Sequence, residues 1–112
     1  MNESTQLKKG VLDILVLHLL SDSDMYGYQL ISELDGRSKG FFKMKEGTLY
    51  PVLYRLEDAG YIMNYWEPES VKRGVRRKYY KITNEGNLRA TDLKGELNIF
   101  IQSIQTVLEG KP

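Results

Sequence analysis

The sequence has no cysteine and a single histidine, His18, among its 112 residues. Disulfides, thiolate zinc sites and a cysteine nucleophile are therefore excluded, and one imidazole is too few for a histidine metal site or an acid–base pair. No catalytic Ser/His/Asp pattern and no phosphate-binding glycine motif is present. We therefore expect no enzymatic activity, no cofactor and no bound metal.

Long hydrophobic runs are missing as well. The longest apolar-rich stretch, Val11–Leu20, is interrupted by Asp13 and His18, and it falls short of the roughly 20 residues that span a bilayer. No basic segment followed by a small-residue cleavage site precedes it. We expect a cytoplasmic protein without a membrane partner, and the length and balanced composition fit one small globular domain.

Acidic residues are absent from two segments that hold most of the positive charge. Residues 37–45 contain four basic residues and residues 72–81 contain six, that is, ten of the chain's sixteen, although the net charge is only +1. The rest of the chain is acidic. A molecule with this asymmetry usually turns its basic side towards a polyanion. For either segment taken alone, the alternative to binding a polyanion is a basic loop that is simply solvated.

Hydrophobic periodicity predicts two helices before residue 41. The first surrounds Val11–Leu20 and is apolar on nearly every side, so other elements or another subunit must cover it. The second runs over roughly 26–34, with N-cap oxygens from Ser21–Asp24 and an end at Asp35-Gly36. Phe41–Met44 then reads as a short extended stretch.

A third helix is predicted from about Glu46 to Ala59-Gly60. Leu49, Val52, Leu53 and Leu56 recur at helical spacing and form its core side, and Pro51 belongs in or near the first turn. Hydroxyl and guanidinium groups on the other side can reach phosphates or base edges. The candidate DNA-binding residues of this helix are Lys45, Gly47, Thr48, Tyr50, Pro51, Tyr54 and Arg55. For Tyr50, packing beneath the hairpin is the alternative.

Two segments rich in aromatic and β-branched residues, Tyr61–Glu67 and Lys78–Ile82, predict a hairpin with a polar tip. Its basic side chains can follow the sugar-phosphate backbone. These candidate wing residues are Lys72, Arg73, Arg76, Arg77 and Lys78. Thr83 is a good N-cap for a last helix that reaches about Leu108.

One apolar stripe on the last helix is too long for a small domain to cover. We therefore predict a symmetric homodimer, with a helix folded back on its own domain as the alternative. The candidate interface residues, two of them on the first helix, are Leu12, Leu15, Leu93, Leu97, Phe100, Ile101, Ile104, Val107 and Leu108.

The order of these elements predicts a mainly α fold with a β-hairpin (α+β): a winged helix-turn-helix followed by a long C-terminal dimerisation helix. Residues 1–82 form the DNA-binding part and residues 83–112 the dimerisation helix, joined in one compact unit. In this architecture the third helix enters the major groove of double-stranded DNA, and the hairpin wing lies along the backbone or the minor groove.

Several motifs together resemble the PadR family of transcriptional regulators, in the short form with a single C-terminal helix. They cover about residues 7–86 and are Tyr26-Gly27, Gly47-Thr48-Leu49-Tyr50-Pro51, Leu56-Glu57, Gly60-Tyr61-Ile62, the wing segment 74–80 and the segment 82–86. The resemblance implies a homodimeric repressor that binds an inverted-repeat operator and is released by a small molecule or a stress signal.

Some short-form members bind flat aromatic compounds against a tryptophan on the last helix. Here the only tryptophan is Trp66, on the first wing strand, and Leu97 stands at the stacking position. Leu97 and Phe100 remain the candidate groove for a small hydrophobic effector. Two alternatives to the repressor stay open: a winged-helix module that binds protein instead of DNA, and a small-molecule sensor that uses the dimer groove.

Overall fold

The computed structural model describes residues 3–71 and 74–110 of the chain. Within them lie four helices and three strands, and the strands form one antiparallel sheet in the order β1-β3-β2. The elements in chain order are α1 Glu3–Asp22, β1 Met25–Tyr26, α2 Gly27–Arg37, α3 Glu46–Asp58, β2 Ile62–Trp66, β3 Lys78–Ile82 and α4 Asn84–Glu109. This mixed arrangement of helices with a hairpin confirms the predicted α+β fold class.

Helix α1 runs through the centre of the molecule and contacts α2, α3, α4 and β3. Most of its apolar side chains are therefore covered by the same chain, whereas Val11 and Leu15 keep part of their surface. The core side chains come from every element: Leu12, Val16, Leu17, Leu19, Leu20, Met25, Leu30, Leu34, Leu49, Val52, Leu53, Leu56, Ile62, Tyr80 and Ala90. The core stripe predicted for α3 is confirmed.

The junction between α1 and α2 differs from the prediction. Ser21 lies in the last turn of α1, where its hydroxyl donates to the His18 carbonyl, and α2 starts only at Gly27, with Tyr26 at the N-cap position. The intervening strand β1 pairs with β3, Met25 opposite Tyr80. The predicted capping by Ser21–Asp24 was wrong because this long-range pairing, and not the local polar residues, sets the start of α2.

The predicted end of α2 at Asp35-Gly36 was also wrong. The helix continues to Arg37, and the Ser38 hydroxyl donates to the Leu34 carbonyl and accepts a hydrogen bond from the Phe42 amide. The chain reverses afterwards, where Lys39 and Gly40 have positive φ values of 53° and 87°. Phe41 and Phe42 therefore lie in a turn instead of an extended stretch.

Pro51 is the sixth residue of α3, in the second turn and not the first. It removes the amide that would bond to the carbonyl four residues earlier, which belongs to Gly47. Because Gly47 is exposed, water can hydrate that carbonyl. The cost of the proline is thereby reduced, which explains why a second-turn position is tolerated.

The start of α4 confirms Thr83 as its N-cap. The Thr83 hydroxyl accepts a hydrogen bond from the Gly86 amide at 3.0 Å and donates to the Gly60 carbonyl at 2.7 Å. A side chain at Gly86 would overlap the carbonyl of Tyr61, so only glycine lets the helix approach the α3–β2 turn this closely. At its other end α4 stops at Gly110, with φ 68°.

Candidate nucleic-acid interface

Helix α3 has one buried side and one open side. Opposite the core stripe, Gly47, Pro51, Tyr54 and Arg55 are exposed and Thr48 is half-buried, while Tyr54 keeps 54% of its surface accessible. At the N-terminus the N-cap residue Lys45 is exposed, and its ammonium group can donate but cannot accept from the first helix amides. The Thr48 and Leu49 amides bond to the Lys45 carbonyl, so at most the amides of Glu46 and Gly47 are left for an anion at this helix end.

Tyr50 is partly withdrawn from this open side. Its hydroxyl lies against Gly27, where a side chain would overlap it, and its ring lies 6.1 Å from that of Tyr54. Burial raises the pKa of Tyr50, so the hydroxyl stays neutral. A side chain at position 27 would therefore force the Tyr50 ring to shift from its place between α2 and α3.

Arg55 is exposed but already has a partner. Its Nη2 donates to Asp13 Oδ1 of α1 at 2.5 Å. An exposed pair of this kind contributes about 0–1 kcal/mol, so the guanidinium can exchange Asp13 for a phosphate or a guanine edge. Between α1 and α3 lies a cleft of about 260 Å³ lined by Leu12, Gly47, Thr48, Pro51, Val52 and Arg55.

The hairpin β2–β3 stands beside α3. The Asn64 amide donates to the Glu57 carboxylate of α3, and Tyr80 is buried on the side of the sheet that faces α3. Burial raises the pKa of Tyr80 to about 12, with the Glu57 charge as a smaller cause. Lys78 Nζ lies 5.9 Å from the Tyr80 ring centroid, which places one wing cation on the α3 side of the sheet.

The base of the wing is organised by Glu67, which is only 5% exposed. Its amide donates to the Arg77 carbonyl at 2.9 Å, and its carboxylate accepts from the Arg77 amide at 3.0 Å. The Glu67 carbonyl accepts from Arg76 Nε and Nη2 at 3.1 and 2.9 Å. The predicted contacts Lys72 and Arg73 lie outside the described residues.

The two described wing arginines lie on opposite sides of the hairpin. Arg76 is exposed, with its guanidinium 5.9 Å from the Trp66 ring. The Arg77 guanidinium instead lies 4.3 Å from the ring centroid of Tyr26, on the outer face of the sheet. The candidate interface therefore combines the open side of α3 with Lys78 and Arg76.

In the first basic segment, residues 37–45, only some of the positive charges are free to bind DNA. Arg37 binds Asp22 and Glu33, both at 3.1 Å, and these hydrogen bonds raise the pKa of its guanidinium. Lys39, Lys43 and Lys45 are exposed. The charge that this segment can offer to DNA is therefore smaller than the number of its basic residues suggests.

The apolar stripe of α4 divides into two parts. Leu93 and Leu97 are half-buried, and Leu93 packs against the core. Beyond them the side chains are exposed, 61% for Phe100 and 75% for Val107, and Ile101, Ile104 and Leu108 are exposed too. Such a contiguous apolar surface marks an interaction site.

The two α1 residues predicted at the dimer interface, Leu12 and Leu15, are more buried than the exposed part of the α4 stripe. Leu12 is only 1% exposed and packs inside its own chain, so it has no surface left for a partner. The prediction for Leu12 is corrected for that reason. Leu15 is half-buried against the core and keeps part of its surface.

Residues 16–92 match the transcriptional regulator PadR-like family. The chain belongs to this family. It is 36% identical over 102 residues to an uncharacterized protein of Lysinibacillus sphaericus, covering 91% of this chain and 92% of that protein. To the transcriptional regulator Rv3488 of Mycobacterium tuberculosis it is 29% identical over 87 residues, or 78% of this chain and 76% of that protein.

Solved structures of transcriptional regulators share this architecture over most of both chains. A transcriptional regulator from Clostridium thermocellum has a TM-score of 0.82 and 32% identity, over 90% of this chain and 96% of that one. A PadR-family regulator from Eggerthella lenta has a TM-score of 0.82 and 28% identity, over 96% and 89%. These matches confirm the winged-helix fold, and the family and its structural neighbours are transcriptional regulators, not enzymes.

Two further properties of the described residues, 3–71 and 74–110, bear on function. No helix among them is long and apolar enough to cross a bilayer. Nor does any group of three or more histidine, aspartate or glutamate side chains there come together as a metal site.

Two residues that contact the base of the wing, Glu67 and Tyr26, were not predicted from the sequence. Glu67 was counted only as the end of a strand, and Tyr26 only as part of a motif. No local signal identified Glu67, because its burial, which obliges the carboxylate to find hydrogen-bond donors, exists only in the folded chain. No local signal identified Tyr26, since its contacts come from residues 79 and 77.

Proposed function

We propose that this PadR-like protein is a homodimeric, sequence-specific DNA-binding repressor that acts on an inverted-repeat operator and is released by a small-molecule or stress signal. The observation that carries the proposal is the two-sided character of α3. Its leucine side is buried, whereas Tyr54, Arg55 and the N-terminal turn are exposed beside the basic hairpin.

The open side of α3 has the chemistry that reads a major groove. Arg55 can contact guanine or a phosphate, and Tyr54 and Thr48 carry hydroxyls that can reach base edges or the backbone. Lys78 and Arg76 extend the positive charge from α3 onto the wing, where sequence-independent backbone contacts are expected. The exposed residues Lys45, Gly47 and Pro51 would lie nearest to a phosphate.

The exposed half of the α4 stripe supports a symmetric dimer. Two copies that pack these stripes together would remove the apolar side chains from water and relate two α3 helices by a twofold axis. An operator read by such a pair has half-sites in inverted orientation. Leu97 and Phe100, at the border between the half-buried and exposed parts of the stripe, are the proposed groove for an effector.

Selection of bound fragments from the source genome tests the function directly. We expect enrichment of fragments that contain an inverted repeat, and transcription from an attached promoter should fall when the protein is added. Enrichment without an inverted repeat would contradict a twofold-symmetric complex. A rise in transcription would contradict repression.

Tyr54→Ala tests whether α3 reads sequence. We expect the ratio of affinities for the selected and a random duplex to fall by about tenfold or more, since a specific base contact contributes about 1–3 kcal/mol. The measurement is fluorescence-anisotropy titration of both duplexes. The matched control is Tyr28→Ala, which removes another exposed tyrosine from the neighbouring helix and should leave the ratio unchanged. An equal loss on both duplexes would contradict base reading by Tyr54.

A further inference from the structure

We propose that Tyr26 is a positioning residue that holds the wing through Arg77, and that Arg77 contributes to DNA binding by fixing the wing instead of neutralising a phosphate. The proposal rests on the proposed DNA-binding function and changes the role that sequence reasoning gave to Arg77. It assigns a role to a residue of the β1–α2 junction that lies outside both α3 and the hairpin.

Arg77 is held at both its backbone and its side chain. Its amide and carbonyl bond to Glu67 at 3.0 and 2.9 Å. Its guanidinium carbon lies 4.3 Å from the Tyr26 ring centroid, well within the distance of a cation–π contact. Arg77 is also half-buried, unlike the exposed Arg76. A phosphate would have to draw this side chain away from the ring.

Tyr26 is itself fixed by a row of aromatic rings across the sheet. It stands opposite Tyr79, which stands opposite Tyr65, and the ring centroids are 5.5 and 5.7 Å apart. At the far end the Tyr65 hydroxyl donates to Asp24, just before β1, at 2.6 Å. The row therefore forms a closed link between the hairpin and the chain segment that precedes α2.

This link joins the wing to the helix-turn-helix. Tyr26 occupies the N-cap position of α2, and the next residue, Gly27, packs directly against Tyr50 of α3. Arg77 lies one residue before β3, at the point where the hairpin extends beyond the sheet. The Tyr26–Arg77 contact consequently sets how the wing projects relative to α3.

A wing held in place before DNA arrives binds more tightly than one that must be ordered on the DNA. A two-stranded hairpin alone is marginally stable in water, and ordering side chains and loops on binding reduces affinity. One exposed cation–π contact changes an equilibrium by roughly two- to fivefold. A symmetric dimer has two wings, so the combined effect on operator affinity is roughly 4- to 25-fold.

The contact is first tested in the DNA-free protein by nuclear magnetic resonance. The Tyr26 ring should shift the side-chain protons of Arg77 upfield. We expect Tyr26→Phe to keep this shift and Tyr26→Leu to abolish it, whereas the matched control Tyr28→Leu leaves it unchanged. Arg77 resonances without a ring-current shift in the wild type would overturn the proposal.

The role is then tested by a double-mutant cycle in operator affinity. Arg77→Gln keeps the backbone bonds to Glu67 and removes only the guanidinium. We expect Tyr26→Leu, Arg77→Gln and the double variant to lose affinity to the same extent, because all three break one contact. Tyr26→Phe should bind like the wild type. Additive losses in the double variant would overturn the proposal.

The salt dependence separates positioning from charge neutralisation. If Arg77 neutralised a phosphate, its replacement by glutamine would lower the log–log slope by about 0.9 for each copy. We expect Arg77→Gln and Tyr26→Leu to share one slope; a lower slope for Arg77→Gln alone would overturn the proposal. If the wild type binds no duplex from the genome, the proposed function fails, whereas the ring-current comparison still decides whether Tyr26 holds Arg77.

Discussion

The winged region, residues 11–92, and the distal arm, residues 96–110 at the end of α4, use apolar side chains in opposite ways. In the winged region, helices and sheet enclose a continuous core within one chain. In the arm, Phe100, Ile101, Ile104, Val107 and Leu108 are all exposed. The same kind of periodic leucine and isoleucine pattern therefore produces a core in one region and an open surface in the other.

The difference shows that local periodicity defines a buried face without defining what buries it. An isolated helix of about 12–15 residues is marginal in water, and the arm has few contacts with the rest of its own chain. Its order is expected to depend on a partner, whereas the winged region supplies its own.

Phe100→Asp should produce the largest effect. A charge in the middle of a paired apolar stripe is strongly unfavourable when buried, so we expect the dimer to dissociate, with the mass falling from twice 13.0 kDa to 13.0 kDa. Sedimentation equilibrium at micromolar concentration measures it. The winged region should keep its helical circular dichroism and its core.

The control for this substitution is Gln102→Asp, which places the same charge within the same turn on the opposite side of α4. We expect it to remain dimeric. A dimer that survives Phe100→Asp would show that the arm stripe is not the interface. Dissociation of both variants would show that an added negative charge disrupts the dimer wherever it stands on α4.

Leu53→Ala tests the self-sufficiency of the winged region. Leu53 is wholly buried in α3, so its truncation should lower the free energy of unfolding by about 2–5 kcal/mol. Leu88→Ala, at an exposed position near the start of α4, should change it by less than about 0.5 kcal/mol. Urea unfolding of both variants in the Phe100→Asp background keeps dimerisation out of the measurement. Equal losses would contradict a self-contained core.

Tyr65→Phe removes a polar contact of the winged region, the hydrogen bond from the Tyr65 hydroxyl to Asp24. The distal arm contains no tyrosine. The hydrogen bond to Asp24 raises the pKa of Tyr65 to about 12, above its unfolded value of about 10. The hydrogen bond therefore stabilises the fold fully below about pH 10, and its contribution disappears as the pH rises through about 12.

The expected difference in unfolding free energy between wild type and Tyr65→Phe is about 1 kcal/mol or less near neutral pH, because the contact is exposed. This difference should shrink between about pH 10 and 12. Urea midpoints at several pH values measure it. A difference that stays constant through this range would mean that the Tyr65 hydroxyl does not bond to Asp24.

Much of the fold could be predicted because its signals are local. The α3 core stripe, the β3 bounds and the Thr83 cap follow from side-chain spacing and capping chemistry within a few residues. The start of α2 was predicted to within one residue. Its capping was not, because strand β1 is only two residues long and exists through its pairing with β3. The second-turn position of Pro51 was not predictable either, because it is tolerated through hydration of the exposed Gly47 carbonyl.

The residue types of the candidate site were predictable from the sequence. Which of their charged groups are free to bind DNA was not. The two basic segments marked Arg37, Arg76 and Arg77 alike, whereas Arg55 was predicted from its place on the open side of α3. In the fold Arg37 and Arg55 have acidic partners, Arg76 binds a carbonyl and Arg77 lies on an aromatic ring. The Arg37–Glu33 pair is local (i, i+4). The partners Asp22, Asp13 and Tyr26 instead lie far away in the chain, so sequence spacing cannot reveal them.

Periodicity and short motifs were enough to predict the helical and hairpin segments, the two-sided character of α3 and the family. The folded structure was needed to show that most of α1 is covered by its own chain, that the distal arm is not, and that Arg77 lies on the Tyr26 ring. The reason is that burial and cation–π contacts depend on distances between residues far apart in the chain, and these distances exist only once the chain has folded.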